Sequence, residues 1–184
     1  MLEGKFVTLR AIEKKDLPKL LYWRNLEELR KFFREYRELN KTQQESWYKN
    51  VVKGDKNTIM FSITCKKTKE LLGACGLCYI DWINKNADIS IYIGKKKLYI
   101  DNKFAPDAAR TLLNYSFSVL GLHRIWAEIY EFDKKKIKLY KKLKFFLDGR
   151  HRETYWCNNK WNDSLFYSIL INEFNKKIRK NLKK

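Results

Sequence analysis

The chain has no apolar run that approaches the roughly 18 residues of a membrane-spanning helix. Its first residues, Met1-Leu2-Glu3-Gly4, lack the basic and apolar regions of a secretory signal peptide. These two absences argue against a membrane protein and against a secreted one. We therefore expect a cytoplasmic protein that makes no membrane contact.

Glycine and proline are also scarce, with seven and two residues among 184. No internal repeat or linker composition interrupts the chain, and 45% of its residues are hydrophobic, which is enough for one core. The sequence predicts a single domain over residues 1–172, followed by a basic C-terminal tail over residues 173–184.

Ligands for a metal ion and nucleophiles for hydrolysis are few, since the chain has two histidines and four cysteines. Cys75 and Cys78 form a CxxC pair, but a zinc or redox site would need a helix start or a second ligand pair, and neither is evident. No serine or cysteine stands at a recognisable nucleophile elbow near a histidine. We predict free thiols, no metal site and no hydrolytic triad.

Positive charge is abundant, at a formal net charge of +19. Such a charge is typical of proteins that bind nucleic acid. Here it comes mostly from lysines spread over the whole chain, whereas arginine, the better reader of phosphates and bases, is sparse. We expect nonspecific nucleic-acid binding at low salt. A nucleic-acid-associated protein, such as one that meets the ribosome, is one alternative function.

Hydrophobic periodicity predicts the order of elements. Lys5-Phe6-Val7-Thr8-Leu9-Arg10 alternates as a first strand. Helices are expected over residues 14–24, 27–37 and 42–52, with Asp16 as the cap of the first and a Thr42–Glu45 capping box at the third. Strands near residues 58–65, 71–81 and 87–93, separated by turn residues, predict an antiparallel meander.

A helix over residues 105–120 follows the meander, and a final hairpin turns around residues 157–160. Together these elements predict a three-layer α+β domain, in which helices flank a central mixed, mostly antiparallel sheet.

The segment from Leu120 to Tyr140 is the most informative. Ile125, Ala127 and Ile129 alternate with other residues as in a half-buried strand. Asp133 then offers a side-chain oxygen to cap a helix that carries Tyr140 on its apolar face.

This strand and helix, followed by Lys144-Phe145-Phe146 and the hairpin-like Arg152-Glu153-Thr154-Tyr155-Trp156, resemble the C-terminal half of the GNAT N-acetyltransferases. The likeness is to the branch of ribosomal-protein N-terminal and spermidine acetyltransferases. It covers about residues 4–172.

The resemblance implies an enzyme that transfers the acetyl group of acetyl-CoA, its co-substrate, directly to a primary amine in a ternary complex. Backbone N–H groups at a helix start would hold the pyrophosphate, because the helix dipole favours anions there. The family's glycines are missing from this turn, and Lys103 stands where one is expected. The implied cofactor-binding residues are Ile91, Tyr92, Ile93, Asn102, Lys103, Phe104, Ala105, Pro106, Asp107, Asp133 and Lys136.

Two residues are the implied catalytic pair. Tyr140 aligns with the tyrosine that, in many family members, protonates the departing CoA thiolate, a task that suits a neutral phenol. Its other possible role is packing of the helix on the sheet. Asp88 stands where relatives often carry a glutamate that acts on the amine through water. Its alternative is a strand-edge carboxylate in solvent.

The acceptor is expected to be an amine-bearing small molecule or a protein N-terminus, and the positive net charge argues mildly against a free polyamine. A monomer and a homodimer both remain open. A further alternative keeps the fold without catalysis, as a CoA-sensing or protein-binding module. The residues expected to line the acceptor cleft are Trp23, Arg24, Asn25, Trp82, Glu128 and Tyr155.

Overall fold

The computed structural model describes residues 1–175, which form an eight-stranded sheet with helices packed against it. The strands are β1 (Leu2–Glu3), β2 (Val7–Ala11), β3 (Ile59–Cys65), β4 (Leu71–Asp81), β5 (Asn86–Ile93), β6 (Arg124–Tyr130), β7 (Phe146–Cys157) and β8 (Lys160–Leu170). The helices are α1 (Leu17–Asn25), α2 (Glu27–Arg30), α3 (Lys41–Trp47), α4 (Phe104–Ser118) and α5 (Lys134–Leu143). A π-helical turn over Tyr48–Val52 continues α3.

The strands lie in the order β1-β2-β3-β4-β5-β6-β8-β7. All neighbouring strands are antiparallel except β5 and β6. That pair is parallel because the connection between its strands crosses over through α4. The predicted α+β fold with a mixed, mostly antiparallel sheet is confirmed.

The hydrophobic core lies between the sheet and the helices, and both β6 and α4 contribute buried side chains to it. Ile125, Ala127 and Ile129 of β6 are at most 2% exposed, as their alternation predicts, while the residues between them are half-buried. The Asp133 side chain accepts a hydrogen bond from the Lys136 backbone N–H at 2.9 Å, so the predicted cap of α5 is confirmed. The strand and helix of the Leu120–Tyr140 segment are therefore both present.

The predicted helix over residues 27–37 is wrong beyond Arg30, where α2 ends. Residues 31–40 form turns and irregular backbone instead. In this segment Phe32 stacks on Tyr99, with 4.1 Å between ring centroids, and Phe33 packs edge-on against Tyr92 at 5.2 Å. These tertiary aromatic contacts outweigh a modest helical propensity.

Two predicted helix caps differ in detail from the structure. Asp16 stands at the N-cap position of α1, but its carboxylate accepts no N–H of that helix. It accepts hydrogen bonds from Arg10, from Ser62 and from the Glu13 backbone N–H, the last as part of the capping box of the 3-10 turn over Lys14–Asp16. Asn40 caps α3 and forms its capping box with Gln43, two residues before the predicted box. In both places a neighbouring polar side chain offers a better-placed partner than the one that the local pattern indicates.

The first residues of the predicted C-terminal tail belong to the folded unit. Residues 171–175 are helical, and Phe174 lies 5.2 Å from Phe117 of α4 between ring centroids. The rest of the predicted tail, residues 176–184, lies outside the described residues. Among the helices of residues 1–175, none has the length and apolar character needed to cross a membrane.

Candidate active site

The central strands β5 and β6 diverge after a short stretch of pairing. Asn86–Asp88 pair with Arg124–Trp126, but β5 runs on to Ile93 and β6 to Tyr130. Beyond Trp126, β6 remains paired only with β8 among the described strands. The divergence opens a slot in the middle of the sheet, where backbone groups of β5 lack a neighbouring strand.

A cavity of about 260 Å³ occupies this slot. It brings together residues from α1, β4, β5, β6, α5 and the segment over residues 31–40. Six of the nineteen residues predicted to form the site line it, namely Arg24, Asp88, Ile91, Glu128, Asp133 and Lys136. The other thirteen do not line this cavity.

Tyr140, on α5, lies beside the slot and is not among the side chains that line its cavity. Its hydroxyl donates a hydrogen bond of 3.2 Å to the backbone oxygen of Ile89, the first β5 residue beyond the pairing with β6. The side chain is fully buried, and burial raises the pKa of the phenol well above its ordinary value. Tyr140 thus holds its proton at Oη, where it is bonded to the backbone of β5 beside the slot, and its ring packs on Phe145.

Asp88 lies at the last paired position of β5 and is 7% exposed, so it is not a solvent-exposed strand-edge carboxylate. Its carboxylate lies 3.1 Å from the Arg34 guanidinium, which also lies 3.3 Å from Glu128. Burial raises the pKa of Asp88 to about 6, although Arg34 and Lys136 act to lower it. Asp88 can therefore gain and lose a proton near neutral pH.

Asp133 and Lys136 close the slot on the side of α5. Besides capping the helix, the Asp133 carboxylate accepts a hydrogen bond of 2.9 Å from the Tyr99 hydroxyl. Burial raises the pKa of Asp133 and lowers the pKa of Lys136. The Lys136 ammonium lies 5.2 Å from the centroid of the Tyr99 ring. Each Asp133 oxygen thus accepts one hydrogen bond, whereas Lys136 is a half-buried cation beside the slot.

The predicted pyrophosphate turn at the start of α4 already carries a carboxylate. Asp101 accepts hydrogen bonds from the backbone N–H groups of Phe104 and Ala105, at 3.0 and 2.7 Å. These are the orphan donors of a helix N-terminus, which attract anions. Lys103 and Asn102 are exposed beside them. Any anion that binds here must displace Asp101.

Several predicted site residues have other roles in the structure. Trp23 is 3% exposed and packs against Gly94 so closely that a Cβ there would overlap the indole. The Asn25 side chain bonds both the N–H and the C=O of Leu39 and so closes the intervening segment. Neither side chain faces the slot, because each is held by partners in the fold.

Asp107 and Trp82 are also directed elsewhere. The Asp107 carboxylate accepts hydrogen bonds from the backbone N–H groups of residues 5–7, which ties α4 to the start of β2. Trp82 donates a hydrogen bond to Lys56 O at 3.2 Å and lines a separate surface cleft. Pro106 is buried in the first turn of α4. Tyr155 borders the slot through Tyr130, on which it stacks with 3.9 Å between centroids.

Sequence reasoning missed Arg34, the aromatic pair Phe32 and Phe33, Tyr99 and Asp101. Arg34 was missed because its segment carries apolar residues near helical spacing, which predicted a helix over residues 27–37. Tyr99 and Asp101 precede α4 in a loop without a period, and only their proximity to the expected pyrophosphate turn could have drawn attention to them.

Other clefts offer less chemistry. A cavity of about 680 Å³ between α1 and α3 is lined mainly by apolar and lysine side chains. The four cysteines are free thiols, and Cys78, which lines the slot, has its pKa raised to about 11 by burial. Within residues 1–175, no cluster of three or more histidine, cysteine or acidic side chains could hold a metal ion.

Comparison with known proteins identifies the family of the chain. Residues 7–145 match the family model described as an acetyltransferase (GNAT) domain. The spermidine N(1)-acetyltransferase of Vibrio cholerae is 25% identical over 169 residues, which cover 91% of this chain and 95% of that protein. An uncharacterised N-acetyltransferase of Bacillus licheniformis, p20, is 32% identical over 114 residues, which span 62% of this chain and 63% of that protein.

The fold is also similar to a solved structure. The crystal structure of spermidine N-acetyltransferase from Vibrio cholerae, in complex with CoA and spermine, superimposes with a TM-score of 0.83 at 25% identity. The match covers 94% of this chain and 99% of that one. The family model and the shared fold together confirm the resemblance seen in the sequence, and the chain belongs to the GNAT family of N-acetyltransferases.

Proposed function

We propose that the protein transfers an acetyl group from acetyl-CoA to a primary amine within the slot between β5 and β6. The observation that carries the proposal is the convergence of a proton donor and a proton acceptor on one opening of the sheet. Tyr140 bonds the β5 backbone at Ile89, and Asp88 lies one residue before it.

The residues present fit acetyl-CoA in most respects. When bound, it would supply an activated acetyl thioester. The backbone edge of β5 at Ile91, which no described strand pairs on the side of the slot, would hold the pantetheine arm by main-chain hydrogen bonds, which depend little on side-chain identity. The N–H of Ile93 already donates to the Tyr99 backbone oxygen at 2.6 Å. The α4 N-terminus, with Lys103 beside it, would hold the pyrophosphate once Asp101 has turned away.

Tyr140 is suited to the acid role because burial keeps its phenol protonated at neutral pH. The same low-dielectric slot would raise the pKa of the departing CoA thiol. The pKa values of the acid and of the leaving group would therefore both be raised. The hydroxyl would exchange its bond to Ile89 O for one to the sulfur and give up its proton there. Removal of that hydroxyl should cost about 10²- to 10⁴-fold in rate.

Asp88 is suited to receive a proton from the attacking amine, directly or through water. Its pKa of about 6 leaves it mostly ionised at pH 7 while keeping it a better base than an ordinary aspartate. Direct transfer is favoured over an acyl-enzyme because Cys78, the thiol that lines the slot, is kept protonated by a pKa raised to about 11.

The acceptor that we propose is a cationic primary amine. Asp88 and Glu128 provide negative charge inside the slot, although the net charge of the chain is +19. Local carboxylates act at contact distance, whereas the distant lysines are screened by salt. The Vibrio cholerae relative is named for spermidine, which supports this class of amine.

The test is incubation of the purified protein with acetyl-CoA and a panel of amines. The panel should include spermidine, a peptide with a free N-terminus, an amino sugar and an amino acid. Released CoA thiol and the mass of each product report transfer. We expect an acetylated product from the cationic amines, strongly reduced in Tyr140→Phe. Binding of acetyl-CoA without transfer to any amine would favour the CoA-sensing alternative instead.

The other features of the sequence-based account stay predictions. These are the cytoplasmic location, the monomer or homodimer, the weak nonspecific binding of nucleic acid and the single domain, predicted to end at residue 172, beyond which the helix over residues 171–175 continues. A dodecameric structure is described for the Vibrio cholerae enzyme. The assembly of this chain can be determined by light scattering.

A further inference from the structure

Arg34 covers the two carboxylates of the slot. Its guanidinium lies 3.1 Å from Asp88 and 3.3 Å from Glu128. The Asp88 side chain is 9% exposed, whereas that of Arg34 is 45% exposed, so the guanidinium is the more accessible partner of the pair. An amine that pairs with both carboxylates must take the place of the guanidinium.

The surroundings of the guanidinium are those of a binding site for a cation. The Tyr79 ring lies 5.7 Å from its central carbon, and Glu128 and Asp88 accept its charge. Aromatic faces and carboxylates are the groups that recognise an alkylammonium ion. The site thus has the features of a cation site, and the cation in it is the side chain of Arg34.

The segment that carries Arg34 has the means to move. Residues 31–40 have no regular secondary structure and connect α2 to α3. Asn25 holds one end of the segment at Leu39, and Phe32 anchors the other end on Tyr99. Rotation of a half-exposed side chain between two anchored points requires no rearrangement of the sheet.

We propose that Arg34 is a specificity-determining residue, whose guanidinium holds the position of the acceptor's ammonium group until a multiply charged amine exchanges with it. This inference rests on the proposed function. An amine with one charge loses that charge when its nitrogen gives up a proton beside Asp88, and it then leaves Glu128 without a cation. An amine with a second charge along a flexible chain can satisfy Glu128 while its other nitrogen loses a proton beside Asp88. Arg34 therefore selects amines that carry at least two positive charges.

The exchange would also adjust the base. The charged and titratable groups around Asp88 are Arg34 from the 31–40 segment, Lys136 from α5, Glu128 on β6, Cys78 on β4 and Tyr140 on α5. Arg34 heads the influences that lower the pKa of Asp88, so its departure leaves a stronger base. The acceptor's own charge then replaces it.

The test compares Arg34→Met with Arg30→Met, using spermidine as the probe. Arg30 ends α2, four residues before Arg34, and lies 3.8 Å from Glu38; neither residue lines the slot, so the Arg30 variant removes the same charge without opening the cation site. Calorimetry should find spermidine bound about tenfold more tightly to Arg34→Met than to the wild type, because the internal competitor is gone. Arg30→Met should bind it as the wild type does. In the transfer assay, KM for spermidine should fall in Arg34→Met only.

A second readout does not depend on catalysis. In protein labelled with ¹⁵N-arginine, spermidine should shift the Arg34 Nε–H signal of the wild type toward that of a solvent-exposed arginine. Unchanged or weaker binding in Arg34→Met, or no binding to either protein, would overturn the inference. Failure of the proposed function would look different, as release of Arg34 by spermidine without any acetylated product.

Discussion

Asp101 should act as an internal competitor of CoA, and its removal should tighten CoA binding while making the protein without ligand less stable. Its carboxylate accepts two backbone N–H groups at the start of α4, at 3.0 and 2.7 Å. A pyrophosphate needs the same donors. Asp101→Ala frees them, and both consequences follow from that one change.

The two effects differ in sign and can be measured separately. Loss of a helix-capping carboxylate costs about 1 kcal/mol of unfolding free energy, which for a protein of this length lowers Tm by about 2–4 °C. Removal of a competing carboxylate should strengthen CoA binding by about 1.4 kcal/mol, or tenfold. The variant should therefore melt earlier alone and show a larger stabilisation at saturating CoA.

Calorimetric titration of CoA and thermal unfolding with and without CoA are the assays. Asp101→Asn is the matched control, since it removes the charge and keeps one of the two oxygens that accept helix N–H bonds. Its affinity for CoA should lie between those of the wild type and Asp101→Ala. The reasoning is refuted if Asp101→Ala binds CoA with unchanged or lower affinity. That result would mean that the pyrophosphate does not use the α4 N-terminus or that Asp101 helps to order it.

Two further predictions concern Asp88 and Gly94. The rate constant kcat/KM should fall below pH about 6 in the wild type, because Asp88 protonates there, and a profile without this acidic limb would exclude Asp88 as the base. The pKa of Asp88 is about 3.9 in the unfolded state and about 6 in the folded state. Between these two pH values the folded state binds more protons than the unfolded state. The burial of Asp88 therefore lowers the unfolding free energy of the wild type as the pH rises. The unfolding free energy of Asp88→Asn relative to the wild type should thus increase by up to about 3 kcal/mol from pH 4 to pH 7, and a constant difference in denaturant titrations would contradict the assigned burial. Gly94→Ala should destabilise the fold by about 1–3 kcal/mol through overlap with Trp23, whereas the control Gly149→Ala, with nothing within 4 Å of the added methyl, should change it by less than about 0.5 kcal/mol.

The parts of the fold that the sequence predicts well are those in which local period and burial agree. Ile125, Ala127 and Ile129 alternate and are buried, and Asp133 both looks like a cap and acts as one. The position of Tyr140 on the buried face of α5 could also be predicted, because the Asp133 cap sets where the helix begins. The turn residues between β3, β4 and β5 likewise predict the meander that these strands form.

The parts that the sequence does not predict depend on contacts between distant segments. Asp16 and Asp101 both precede helices, yet one pairs with Arg10 and the other bonds helix N–H groups. Arg34 belongs to the slot only because Phe32 stacks on Tyr99, 67 positions further along the chain, and ends the helical pattern. Trp23 and Asn25 are of residue types that often bind ligands. In the structure, Trp23 packs against Gly94 and Asn25 hydrogen-bonds the backbone of Leu39. A local pattern cannot tell which polar or aromatic group will be left without a partner.

The most direct test of the account is the rate of acetyl transfer by Tyr140→Phe, measured with the affinity for acetyl-CoA in the same preparation. The change removes one hydroxyl from a fully buried ring and should leave the fold intact. The account predicts a fall in kcat of about 10²- to 10⁴-fold with an unchanged Kd for acetyl-CoA. A kcat within about twofold of the wild type, at equal affinity, would contradict the role of Tyr140 as the acid and with it the placement of the reaction in the slot between β5 and β6.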